Sequence, residues 1–495
     1  LMAVISAWAA DHTRESAFAV GGESRAPIAQ VLPVPALLEW PGLLEKGFWH
    51  EVEHPVAGRY RYPGAALTPG EGDGVYGPAP VLGSAREEPW SARPAPPALR
   101  QPSPGGPLDG IRVVDLTMVW SGPWAASLLA DMGADVIKIE GPDNLDPVRP
   151  FGQRTQDELD GLYSPYLGQY SRGKRGLCLD LKSDHGRELV LQLVGQSDLV
   201  IENFRAGVLE RLGLGYDVLK SVKPDIVLVS MPGYASTGSE KDRAAYGPVV
   251  ESMAGFVGLG GLEGDPPLFS GVSYSDPVAG TYAAGAAILG LLHKERTGRG
   301  QRLELSQRDN MINQIGEVAV EYELSGEVPG RLGNRHPRWA PQGVYRCRDL
   351  DHATAPKLST GEPVWDRWVT LSVTNDREWQ ALCGVIGRAD LASDARFAAE
   401  AGRRNGHDEI DGAISAWAVT KDCYAAAQEL QEAGVPAGPV LMALDTLRDP
   451  HLVAREFLDE TDHPRAGKQL VSRPLWRLSE TPMHIARPAP LLGQH

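Results

Sequence analysis

Cysteine is scarce in this sequence of 495 residues: Cys178, Cys347, Cys383 and Cys423 lie far apart, with no CxxC pair and no cysteine–histidine cluster. That spacing argues against a disulfide framework or a zinc site, and fits a chain kept reduced, as in the cytoplasm. No apolar run reaches the about 18 residues a membrane span needs, so no membrane contact is expected. Positive charge is also short, 48 basic against 64 acidic residues for a net −16. This excludes a general nucleic-acid or anionic-lipid surface, and any anionic ligand needs a local basic site. A GxGxxG turn is missing too. The first strand-to-helix turn reads "TMVWSGPW" (117–124), where Trp120 obstructs the backbone approach a pyrophosphate requires. A nicotinamide dehydrogenase is therefore disfavoured, although Glu140 ends the second strand where a ribose-binding acid would stand. "GLGGLEG" (258–264) lacks a strand-then-helix frame and reads as a loop.

The length exceeds the roughly 250–300 residues at which single cores stop growing, so more than one folding unit is expected. The chain also carries one stretch twice. "VISAWA" (4–9) returns as "AISAWA" (413–418), and at the same offset of 409 "FWHEVEHPVAG" (48–58) lies on "FLDETDHPRAG" (457–467). After a one-residue shift, "PAPVLG" (78–83) meets "PAPLLG" (488–493). A shared offset over that distance makes residues 1–85 read as the C-terminal tail of an upstream copy of the unit, rather than as a targeting peptide. Residues 86–107, rich in Pro and Ala, read as a linker.

The complete unit starts near Leu108. "IRVVDL", "ADVIKIE", "GLCLDL", "DLVIEN" and "DIVLVSM" are short buried-strand patterns alternating with helical ones. They imply an α/β fold, a Rossmann-like, mostly parallel sheet forming a large domain over 108–306. Residues 307–329 read as one long connecting helix, 330–445 as a smaller α+β domain, and 446–495 as a return to the large domain. Within 349–368 an insertion precedes "WVTL".

"YSDPVAG" (274–280) places one carboxylate at the head of a long alanine-rich helix. Asp-Pro there is a helix-start signature, with Asp276 at the cap and Pro277 at the first helical position. A carboxylate so placed is also an anion steadied by backbone N–H groups, and carboxylates are covalent nucleophiles. Local sequence leaves the cap and the nucleophile equal.

Four stretches resolve the tie: "LDGIRVVDLTMVWSGPWAASLLADMGADVIKIE" (108–140), "SRGKRGLCLDLKSDHGRE" (171–188), "ENFRAGVLERLGLGYDVLKSVKPDIVLVSMPGY" (202–234) and "PPLFSGVSYSDPVAGTYAAGAAILGLLHKERTGRGQRLELS" (266–306). Together they resemble the family III CoA-transferases, the CaiB–BaiF family that also holds α-methylacyl-CoA racemases. The resemblance implies that Asp276 attacks an acyl-CoA thioester, that CoA passes to a free carboxylic acid, and that neither a metal nor a permanently bound cofactor takes part. It implies CoA contacts at Leu179, Asp180, Leu181, Lys182, Asn203, Phe204, Arg205 and Arg211, with Trp120, Ser121 and Tyr246 beside them. Arg172, Lys174 and Arg175 supply the local basic cluster a polyphosphate needs. Family members form interlocked dimers, so a homodimer, or a pseudo-dimer with an upstream copy, is expected. Departures are visible. Gly141 and Pro142 stand where a basic residue packs on the adenine, and Trp120 stands where formyl-CoA transferases carry a glutamine. Tyr246 and Gly247 replace the His-Asp of the racemases, which disfavours racemisation. A non-catalytic CoA-binding partner is the other alternative.

Overall fold

Short runs of Val, Ile and Leu, each closed by a polar or glycine-bearing turn, build the central sheet of this protein. The computed structural model describes residues 2–69, 77–84, 103–150, 163–351, 353, 355–357, 361 and 364–495. Most of the linker stretch, and part of the 349–368 insertion, lie outside the described residues. Two compact units are present. One comprises Leu1–Leu259, Pro267–Pro329 and Leu458–His495, the other Gly260–Pro266 and Gly330–Phe457.

The strands in chain order are β1 (Trp49–His54), β2 (Gly58–Pro63), β3 (Leu67–Pro69), β4 (Arg112–Asp115), β5 (Asp135–Glu140), β6 (Arg175–Cys178), β7 (Leu199–Glu202), β8 (Val227–Ser230), β9 (Arg302–Leu305), β10 (Gln342–Arg346), β11 (Trp368–Ser372), β12 (Ala437–Pro439), β13 (Leu458–His463) and β14 (Gly467–Ser472). The large sheet has the order β3-β9-β8-β7-β4-β5-β6. Every pairing is parallel except β3 on β9. Its parallel part is doubly wound, with its topological switch between β4 and β7, the place where such sheets bind ligands. One face is covered by helices Ser121–Asp131 and Ser275–Thr297, which share a core with Val113, Ile201, Val229 and Leu303. The other face carries Val190, Val194 and Leu219 against Val114, Val200 and Leu228. The two helices on the first face meet at Gly280, where a β-carbon would sit 2.4 Å from the Ser121 carbonyl.

The second unit has a three-stranded antiparallel sheet, β10-β11-β12, packed by Trp379, Leu382, Ile410, Ile414 and Leu430. The chain crosses back at Leu458, later than the expected 446. Residues 307–329 are not one connecting helix. Helices Gln307–Asn313 and Gly316–Ser325 lie within the first unit, broken at Gln314–Ile315. Glycine is a poor helix interior residue, and a β-carbon on Gly316 would stand 3.1 Å from the Pro63 ring.

The repeated sequence folds twice into the same hairpin. β1 pairs with β2 from Trp49↔Pro63 to His54↔Gly58, and β13 with β14 from Leu458↔Ser472 to His463↔Gly467. In each turn a histidine Nδ1 accepts two backbone N–H bonds, from Val56 and Ala57 to His54 at 3.1 and 2.9 Å and from Arg465 and Ala466 to His463 at 3.2 and 3.0 Å. The first hairpin packs on helix Gly316–Ser325, where Arg61 binds Glu323 at 2.7 Å, whereas the second packs near helix Pro165–Tyr170, where Gln169 accepts the Ser472 N–H at 3.1 Å. The N-terminal segment is packed into the first unit: Leu32, Leu37, Leu38 and Leu43 are at most 1% exposed.

Candidate active site

Asp276 lies in the first turn of helix Ser275–Thr297, but it is not the cap. Tyr274 holds that position, and no side chain caps this helix. The turn before it is strained, with Ser273 at a φ of 48°. Beneath the carboxylate lies Gly247, where a β-carbon would be 2.4 Å from Asp276 Oδ2. Glycine there is what lets the carboxylate into its place. One turn further along helix Gly247–Met253, Glu251 is fully buried and accepts hydrogen bonds from the Ser270 hydroxyl at 3.1 Å and the Ser275 N–H at 3.4 Å.

Burial, and then the charge of Glu251, push the Asp276 carboxyl up to about 7. The expectation that backbone N–H groups hold it firmly ionised is therefore corrected: desolvation outweighs the dipole here. Asp276 nevertheless remains partly exposed, between the exposed residues Tyr246, Val272 and Tyr274.

An aromatic wall stands beside it. Trp120 packs on Tyr166 at 5.5 Å and on Tyr170 at 5.3 Å, Tyr166 on Tyr170 at 4.7 Å, and Trp124 on Tyr170 at 5.8 Å between ring centres. Burial and then Tyr170 raise the Tyr166 phenol, with Asp276 adding to it; burial takes Tyr170 up to about 12, with Asp276 again contributing. Both phenols thus stay neutral and lie within electrostatic reach of the carboxylate. The Trp124 indole N–H reaches Thr281 Oγ1 at 3.3 Å, while the Trp120 Nε1 is buried with no partner among the described residues. Val119, just before this wall, has a φ of 70°, which a β-branched side chain adopts only under constraint.

Asn203 ties the two loops of the switch point together. Its amide accepts the Met118 N–H at 2.9 Å and donates to the Met118 carbonyl at 2.8 Å, and its Nδ2 lies 3.5 Å from Ser121 Oγ. Asn203 and Ser121 thus shape the loop that presents Trp120. Leu179, Leu181 and Phe204 are partly buried and each packs against the core on the second face of the sheet. Asp180 is exposed and turns the chain by accepting the Lys182 N–H at 2.9 Å. Lys182 and Arg211 are exposed, and Arg205 binds the Asp242 carbonyl at 3.1 Å. These three cations follow the carboxyl ends of β6 and β7.

The other basic cluster is corrected. Arg172 and Lys174 are fully buried, Arg172 on Asp131 at 2.7 Å and Lys174 on Asp115 at 2.8 Å, so their charges are spent inside. Burial opposes the charge on Asp115, yet Lys174 and Lys138 outweigh it and hold that carboxyl below its usual range. Arg175 pairs with Asp135 at 3.2 Å. Glu140 is equally spent: burial opposes its charge, but Arg149 at 2.7 Å and Lys138 bring it down to about 2. Paired inside the protein with Arg149, it is not placed to bind a ribose hydroxyl, which weighs further against the dehydrogenase reading.

Sequence reasoning passed over Glu251, Tyr166 and Tyr170. A lone acid in the apolar run "PVVESMAG" and the paired tyrosines of "YSPYLGQY" were the available signals.

The sequence profile of CoA-transferase family III matches residues 108–361 and 362–495. The chain belongs to this family. A relative named as the succinyl-CoA–D-citramalate CoA-transferase of Chloroflexus aurantiacus is 33% identical over 392 residues, which cover 79% of this chain and 92% of that protein. A protein of Mycobacterium tuberculosis named as a probable CoA-transferase is 31% identical over 98% of this chain but only 59% of its own length. The fold agrees with the crystal structure of a CaiB/BaiF family protein from Brucella suis, with a TM-score of 0.68 and 31% identity over 79% of this chain and 97% of that one. No described helix is long and apolar enough to cross a membrane.

Proposed function

We propose that the protein transfers CoA from an acyl-CoA thioester to a free carboxylic acid through Asp276. The placing of Asp276 carries this reading: a strained turn and a bare Gly247 hold an ionisable carboxylate, partly open to solvent, beside the aromatic wall.

Asp276 attacks the donor carbonyl, the C–S bond breaks, and CoA departs as thiolate, leaving a mixed anhydride. The thiolate then attacks the aspartyl carbonyl of that anhydride and releases the donor acid, giving an aspartyl-CoA thioester. The acceptor carboxylate attacks this thioester and displaces the thiolate, which in turn attacks the acceptor side of the second anhydride. The new acyl-CoA leaves and Asp276 is again a carboxylate. No water is consumed, so the wall of Trp120, Tyr166 and Tyr170 serves by excluding it.

In this reading Lys182, Arg205 and Arg211 meet the phosphates, Leu179, Leu181 and Phe204 border the CoA arm, and Tyr246 lies at the mouth. The relatives include enzymes named for small dicarboxylates; the aromatic wall here favours a hydrophobic or aromatic acyl group. Racemisation lacks support, since Tyr246 stands where the racemases carry their histidine base, and a phenol is a poor base at neutral pH. The catalytic unit is the downstream copy of a tandem pair, a reading supported by the repeated hairpin and by the longer Mycobacterium relative.

Incubation with acyl-CoA and hydroxylamine, followed by peptide mass analysis, tests the mechanism. A hydroxamate at Asp276 is expected; full activity in Asp276→Ala would overturn it. A panel of acyl-CoA donors and acceptor acids, with succinate included, identifies the substrates.

A further inference from the structure

Residues 117–123 carry the chain from β4 into helix Ser121–Asp131 and present Trp120. Six of their backbone groups are held by side chains from outside the turn. Asp115 accepts the Thr117 N–H at 2.9 Å, and Lys138 donates to the Thr117 carbonyl at 2.7 Å. Asn203 takes both groups of Met118, Asp146 accepts the Val119 N–H at 3.1 Å, and Lys174 donates to the Pro123 carbonyl at 2.9 Å. The four charged residues are wholly buried in two ion pairs, Lys174 with Asp115 at 2.8 Å and Lys138 with Asp146 at 2.9 Å. Burying charge is a poor route to stability, because desolvation offsets most of the attraction. Four such charges converging on one turn therefore point to what they hold in place.

Val119 is the residue that needs holding. At a φ of 70° its β-branched side chain crowds the backbone, and negative φ is the relaxed alternative. A return to negative φ turns its N–H away from Asp146 and re-aims Trp120, the next residue and the helix cap. Asp146 cannot follow such a change. Its Oδ1 also accepts the Val148 N–H at 3.2 Å, Lys138 holds Oδ2, and its own N–H is given to Glu140 at 2.9 Å. We propose that Asp146 is a positioning residue for the reaction: it fixes Val119 in the left-handed region and so keeps the Trp120 ring in the wall beside Asp276. This role rests on the assignment of Asp276 as nucleophile. Asp146 is itself wholly buried and acts only through one peptide group.

Asp146→Ala tests this role, with Val119→Gly as the rescue. Glycine adopts a φ of 70° without steric cost, so it reoccupies the turn with no carboxylate to hold it. In Asp146→Ala, kcat should fall by about tenfold or more with the KM for acyl-CoA held, and hydrolysis should rise relative to transfer. Adding Val119→Gly should restore most of the lost kcat. A residue that merely balanced the Lys138 charge would gain nothing from glycine at 119. Fluorine NMR of fluorotryptophan-labelled protein, with Trp120→Phe assigning the signal, reads the ring without turnover. The Trp120 resonance should shift or broaden in Asp146→Ala and return with the glycine. An unmoved resonance, or no rescue, overturns the role of Asp146. A native chain that forms no hydroxamate at Asp276 overturns the nucleophile instead, and the resonance still reports the ring. Asp146→Leu with Lys138→Met, which removes both charges together, replaces Asp146→Ala if that variant does not fold.

Discussion

Glu251 and Asp276 set two carboxyl groups against each other across Ser275, whose N–H binds Glu251 while its neighbour is the nucleophile of the proposed reaction. The buried acid raises the affinity of Asp276 for a proton, and a more basic carboxylate is a stronger nucleophile once ionised. Turnover should therefore rise with pH through about 7. In Glu251→Gln the acidic limb of the pH–rate profile should move to lower pH while staying above the usual carboxylate range, because burial persists. An unmoved limb would refute the coupling.

Stability should report the same group with the opposite sense. The folded carboxyl titrates near 7, well above the ordinary carboxylate range, so the folded state binds the proton more tightly than the unfolded chain. Its contribution is fully present below about 4 and lost as pH climbs to about 7. Asp276→Asn should thus gain Tm relative to the native chain at pH 8, and little at pH 4, in paired thermal melts.

Gly247→Ala places a methyl group against Asp276 Oδ2. Displacing a reacting atom by about 1 Å costs on the order of a hundredfold in rate, so turnover should fall by that factor with CoA binding retained. Steady-state kinetics beside calorimetric CoA titration would separate the two.

Buried and exposed cations should part company. Lys174→Met removes the ion-pair partner of buried Asp115, leaving Thr117 and the more distant Lys138, and should destabilise by about 3 kcal/mol in denaturant unfolding. Arg175→Ala should change neither folding nor the KM for acyl-CoA. Lys182→Ala, Arg205→Ala and Arg211→Ala should each raise that KM with kcat held.

Trp120→Ala should open the aromatic wall. Loss of water exclusion predicts a rise in acyl-CoA hydrolysis relative to transfer, read as free acid against new thioester.

Much of the fold was legible because its signals are local. Val-Ile-Leu runs between glycine-bearing turns can do little but form buried strands, and their alternation with helices dictates a parallel sheet. The repeat was legible for the same reason: "HPVAG" and "HPRAG" carry their own turn, closed in each case by the histidine side chain. The break at Gln314–Ile315, just before Gly316, escaped, since the close approach of Pro63 to Gly316 comes from far along the chain.

At the site, Asp276 could be singled out from its helix-head pattern and its resemblance, but its charge state could not. That depends on burial and on Glu251, neither of which is adjacent in sequence. The basic cluster erred for a related reason: a Lys or Arg beside a turn looks solvated until Asp115 and Asp131 come across from other elements to neutralise it. Sequence alone determined the strands, the turns, the duplication and the identity of the acid at 276, because these depend on short-range sterics and pattern. Only the tertiary structure decided which charges face water and what proton affinity that acid has, because electrostatic energy depends on distance and dielectric, and folding sets both.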